Sequence, residues 1–143
     1  MYDSITITPD IRPRVGRSIF AVFTALIGNA AASLAVDQLF HELGVYPSWG
    51  EPMFEPALNL LALSYRLVFG VASGYLVARL APRAPMRHAL MLGMIASVLA
   101  VIGVVGAIAQ NLGPAWYPIA LALSVYPTIR IGAELQQRRA RSA

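Results

Sequence analysis

From Ser18 onward the chain alternates long apolar stretches with short polar ones, and the stretches are too long for strands. Four of them, at residues 18–40, 57–80, 88–109 and 115–133, are dominated by Ala, Leu, Ile, Val and Gly. A helix of about 20 such residues, rising about 1.5 Å per residue, crosses a hydrocarbon core of about 30 Å. Periodicity alone does not separate a buried helix from a buried strand, but length does. The pattern predicts an all-α fold: an integral membrane bundle of four transmembrane helices, forming one transmembrane domain over residues 1–143. The 41–56 loop, with Pro47, Pro52 and Pro56, is long enough to fold over one end as a cap. The start of the first span, with "NAAAS" at 29–33, has features of a cleaved signal peptide. Its apolar character continues to Leu39, which favours a retained span.

Small and polar residues within the spans fall on faces. Asn29, Ser33, Asp37 and His41 follow one another at steps of four in the first span, so they share one slowly turning helix face. In the second, Asn59, Arg66 and Ser73 repeat at steps of seven, and Arg66 is followed at steps of four by Gly70, Gly74 and Ala78. The last three form a small-xxx-small ridge that lets another backbone approach closely, either for helix packing or as an oligomer face. The third span offers Gly93, Ser97, Gly103 and Gly106; the fourth offers Ala120, Ser124, Thr128 and Gly132.

Charge gives the bundle a direction. All eleven basic residues are arginine, and ten lie in three clusters: Arg12, Arg14 and Arg17; Arg79, Arg83 and Arg87; Arg130, Arg138, Arg139 and Arg141. The clusters flank the spans on one side only, so the positive-inside rule places both termini and the 81–87 loop in the cytoplasm. The other side carries Asp37, Glu42, Glu51 and Glu55, with the interfacial aromatics Tyr46, Trp49, Trp116 and Tyr117. Anionic lipid headgroups at the clusters, at about 1 kcal/mol per arginine, account for a pI near 10.0 without nucleic acid.

The eleventh arginine, Arg66, lies inside the second span, where a charge costs roughly 2.5–3.5 kcal/mol on insertion scales and is retained only with a partner or a task. Asp37, about one turn from the outer end of the antiparallel first span, is a candidate partner across a depth gap of about 8–9 Å, if Arg66 snorkels outward. Glu55, Tyr65, Tyr126 and the Leu123 carbonyl freed by Pro127 compete for the guanidinium. Arg66 can therefore lock the bundle, bind an anion, headgroup or substrate carboxylate, or serve a proton or ion pathway. The candidate ligand or ion pathway comprises Arg66, Asp37, Asn29, Asn59, Tyr65 and Tyr126.

No nucleophile elbow, phosphate loop or paired histidine ligands appear, so no catalytic residue and no enzyme activity is expected. Without cysteine, and with one imidazole among the outer acids, no metal or cofactor is expected either. What remains is a small transporter or channel-like protein for an ion or small polar solute. The alternative is a non-catalytic accessory or scaffold subunit of a larger membrane complex, docking by its GxxxG face. Spare small-residue faces on a thin bundle suggest a homo-oligomer or such a complex.

The stretches "DQLFHELGVYPSWGEPM", "YRLVFGVASGYLVARLAPRAPMRHALMLG" and "LGPAWYPIAL" resemble a family of small four-span bacterial membrane proteins of uncharacterised activity. The resemblance covers most of the chain, implies a bacterial inner membrane and draws attention to Asp37, His41, Trp49, Tyr65, Arg66, Arg79, Arg83, Arg87, His88 and Trp116. It carries no activity with it.

Overall fold

The computed structural model describes residues 12–142, with side chains from residue 15 onward. The N-terminus and the side chains of Arg12 and Arg14 in the first arginine cluster thus lie outside the described residues. Four helices follow one another: α1 (Arg12–Glu42), α2 (Pro56–Leu80), α3 (Pro85–Ala109) and α4 (Trp116–Ser142). Prolines open α2 and α3, where a missing backbone N–H costs nothing and a fixed φ helps. Gly44, at φ 68°, ends α1 in the left-handed region, and Val45 N–H then donates to the Phe40 carbonyl at 2.9 Å.

Val15–Glu42, Pro56–Leu80 and Pro85–Ala109 are each long and apolar enough to cross a membrane. The fourth expected span differs. Although α4 has 27 residues, Trp116, Tyr117, Tyr126, two prolines and Arg130 dilute its apolar stretch, and its last turns are polar. Among the described residues, three helices qualify by length and composition rather than four.

α2 packs against all three other helices, α4 also packs on α3, and α1 rests on α2 and α3. The α1 and α4 backbones do not come together, so they stand on opposite sides of the α2–α3 pair. The core is made of small residues: Ala21, Ala25, Ala78, Ala89 and Ala133 are buried, with only Val77, Leu92 and Ile129 as larger members. Large apolar side chains point outward, among them Phe20, Phe23 and Ile27 of α1 and Val98, Ile102 and Val105 of α3. That inversion suits lipid, where close backbone approach rather than expulsion of apolar surface from water holds helices together.

The closest approach joins α2 and α4, which run in the same direction. A methyl group on Gly74 would overlap the Ile129 carbonyl, one on Gly132 would overlap the Val71 carbonyl, and one on Gly70 would meet Thr128 Oγ1. The Gly70–Gly74–Ala78 ridge is therefore used inside the chain. Of the two roles expected for it, helix packing is the one seen, with Gly70 and Gly74 set against α4.

At the end of the bundle away from the arginine clusters, the 43–55 loop folds back as a cap. His41 Nδ1 lies 2.5 Å from the Pro47 carbonyl and its ring lies 4.1 Å from that of Trp49, whose Nε1 donates to Gln38 Oε1 at 3.0 Å. Met53 N–H donates to the Leu112 carbonyl at 2.8 Å, tying the cap to the α3–α4 connection.

Candidate functional site

The polar face of α1 and the arginine of α2 meet beneath this cap. Asp37 is 8% exposed; its Oδ2 accepts a hydrogen bond from Arg66 Nη2 at 2.5 Å, and its Oδ1 accepts one from the Tyr65 hydroxyl. Tyr65 in turn faces the Tyr46 hydroxyl at 3.3 Å. Because Tyr65 already donates to Asp37, Tyr46 is the donor in that pair. Arg66 Nη1 donates to the Tyr117 hydroxyl, and the guanidinium carbon lies 5.4 Å and 5.9 Å from the ring centres of Tyr65 and Tyr117. The result is one connected layer: Tyr46, Tyr65, Asp37, Arg66, Tyr117. Burial raises the Tyr46 hydroxyl above the ordinary phenol value, with the Tyr65 hydrogen bond opposing it. Tyr46 therefore remains a donor at neutral pH.

The layer stands between two cavities. On the capped side, about 440 Å³ is lined by Asp37, His41, Tyr46, Trp49, Glu51, Arg66 and Tyr117, among others. On the other side, a central cavity of about 300 Å³ lies among all four helices and is lined by Asn29, Ser33, Arg66, Gly70, Ser124 and Thr128 within an otherwise apolar wall. Arg66 borders both. The single α1 face read from the sequence thus serves both cavities, Asn29 and Ser33 on one side of the layer and Asp37 and His41 on the other.

Several candidates take other places. Asn59 is 1% exposed, but its Nδ2 donates to the Met53 and Glu55 carbonyls, both at 2.9 Å, so it fastens the cap to the start of α2 rather than joining the pathway. Ser73 Oγ donates to the Ala25 carbonyl at 2.9 Å and stitches α1 to α2. Tyr126 lies against Gly93 of α3 and is 39% exposed; the Leu123 residue whose carbonyl Pro127 frees is 75% exposed. Neither holds Arg66, and Glu55 makes no ion pair with it among the described residues. Among those residues no group of three or more His, Asp or Glu side chains converges as a cation site.

Tyr117 was not expected in this role, because "GPAWYP" reads as an interfacial belt. The helix register explains the meeting: Gly70 faces Thr128, so Arg66 is level with residue 124, and Tyr117 lies about 10 Å toward the cap. Two long side chains leaning toward each other close that gap, as snorkelling arginines do.

Fold and site together define a small helical bundle of membrane character, with a partly buried ion pair set between two largely apolar cavities. Compared with protein-family models, with curated proteins and with solved structures, the chain matches none.

Proposed function

We propose that this chain is a four-span membrane protein that passes a small polar solute or ion through the Asp37–Arg66 layer. The observation that carries the proposal is that Arg66 borders a cavity on each side of the layer. A lock serving stability alone needs neither cavity. Ionisable side chains that face a bundle interior and pair there are found along substrate and ion pathways. In this reading the cap faces outward and Arg79, Arg83 and Arg87 meet the cytoplasmic headgroups, as the positive-inside bias of the arginine clusters supports, and the resemblance read from the sequence supports a bacterial inner membrane. α4 completes the fourth crossing as the partner that α2 packs against most intimately, which a helix lying outside the bilayer would not be. The accessory-subunit reading has lost its docking ridge, since Gly70 and Gly74 are spent against α4.

The test is flux in proteoliposomes, followed by light scattering, with glycerol, urea, potassium chloride and potassium lactate as solutes. At least one should cross faster than in protein-free vesicles. Arg66→Ala should abolish that excess while the protein still inserts; unchanged flux would sink the proposal.

A further inference from the structure

We infer that the capped cavity binds an organic cation of the quaternary-ammonium class, held between aromatic rings and the Glu51 carboxylate. The site lies on the capped side of the Asp37–Arg66 layer, so it stands whether or not anything crosses that layer. Three observations carry it.

The first is the aromatic lining. The cavity of about 440 Å³ is bordered by His41, Tyr46, Trp49 and Tyr117. The His41 ring lies 5.5 Å from that of Tyr46, edge to face, and 4.1 Å from that of Trp49, so α1 and the cap together build one continuous row of rings. Tyr117 adds a further ring from α4. Ring faces carry partial negative charge and attract a cation lying within about 6 Å of their centres.

The second is that four donors of this lining are spent. Tyr46 donates to Tyr65, His41 Nδ1 to the Pro47 carbonyl, Trp49 Nε1 to Gln38 Oε1, and Gln110 Nε2 to the Gly106 carbonyl. These side chains therefore present rings and lone pairs to a ligand, rather than N–H or O–H groups.

The third is charge. Arg66 and Asp37 neutralise each other, whereas the Glu51 carboxylate on the same cavity has no hydrogen bond or ion pair among the described residues. The lining thus carries one uncompensated negative charge. A lone carboxylate cannot replace the hydration shell of a small metal ion, and no group of three or more His, Asp or Glu side chains converges among the described residues. A quaternary ammonium is different: it has no N–H that needs an acceptor, and it gains from rings and a carboxylate together.

Binding is measured by calorimetry on the full chain in a non-ionic detergent, with tetramethylammonium chloride and choline chloride at constant ionic strength. The pH is set at about 8, where an ordinary imidazole is uncharged. At least one of the two cations should bind saturably, and sodium chloride should not. Dimethylbutanol, the uncharged carbon isostere of choline, should bind at least about tenfold more weakly than choline. Glu51→Gln and Trp49→Ala should each weaken cation binding at least about fivefold, and Trp49→Phe, which keeps a ring, should weaken it less than Trp49→Ala. Glu51 is exposed and its side chain holds no contact of the cap, so Glu51→Gln separates loss of the site from loss of the fold. No saturable binding of either cation, equal binding of sodium or of the uncharged isostere, or wild-type affinity in either Glu51→Gln or Trp49→Ala overturns the inference. Its failure is distinct from that of the transport reading: flux without cation binding sinks only the inference, and cation binding without flux sinks only transport.

Discussion

At the scale of single residues, the central fact is that Asp37 receives two donors and Arg66 gives to two acceptors within one layer. The pair is partly buried, with the Arg66 side chain 23% exposed, so removing one charge leaves the other poorly compensated, at a cost of up to about 3 kcal/mol. Asp37→Arg and Arg66→Asp should each lower the unfolding midpoint in detergent strongly, and the double exchange should recover part of the loss; strictly additive losses would show that the two do not act as a pair. Tyr65→Phe and Tyr117→Phe remove one hydrogen-bond partner each and should cost about 1–3 kcal/mol. Tyr126→Phe, on an exposed side chain, should change little. Asp37 and Arg66 could be picked out in the sequence because charges in apolar spans are rare. Tyr117 could not, because its place in the layer depends on the register between α2 and α4, which no local pattern encodes.

Among elements, the α2–α4 pair decides the architecture. Gly74 and Gly132 each sit where an added methyl group would overlap a backbone carbonyl of the other helix, which no rotamer change relieves. Gly74→Ala and Gly132→Ala should therefore force the helices apart and cost at least about 1–3 kcal/mol, read as a lower midpoint in a detergent melt. Gly28, on α1, has nothing within 4 Å of an added methyl group. Gly28→Ala should be neutral or stabilise by up to about 1 kcal/mol, because alanine is the better helix former. The ridge of small residues on α2 was visible as a step of four. Its partner was not, since α4 displays a similar ridge and so do parts of α1 and α3; only packing shows which two ridges interlock.

For the whole molecule, the prediction concerns sides. The chain has no cysteine, so single cysteines report topology without background. In sealed right-side-out vesicles a membrane-impermeant thiol reagent should label Ser48→Cys and Asn111→Cys from outside. Arg83→Cys and Ser142→Cys should react only after permeabilisation. Labelling of residues 111 and 142 from one side would mean that α4 does not cross, and the four-span proposal would fall to three. α4 is the instructive case here: its crossing has to be argued from its packing on α2, since its composition alone is too diluted by aromatics, prolines and Arg130.

By itself the sequence determined that the chain is helical, that at least three helices suit a bilayer, and which face of α1 is polar. These follow from hydrophobic length and helical period, which are local properties of the chain. Tertiary structure alone decided that Gly70 and Gly74 are consumed by α4, that Asn59 fastens the cap, and that Tyr117 joins Asp37 on Arg66. It also decided that the layer they form stands between two cavities. The reason is physical: a cavity is what several helices leave unfilled, so its position depends on their mutual register and on which small residues let them close, and no single helix carries that information.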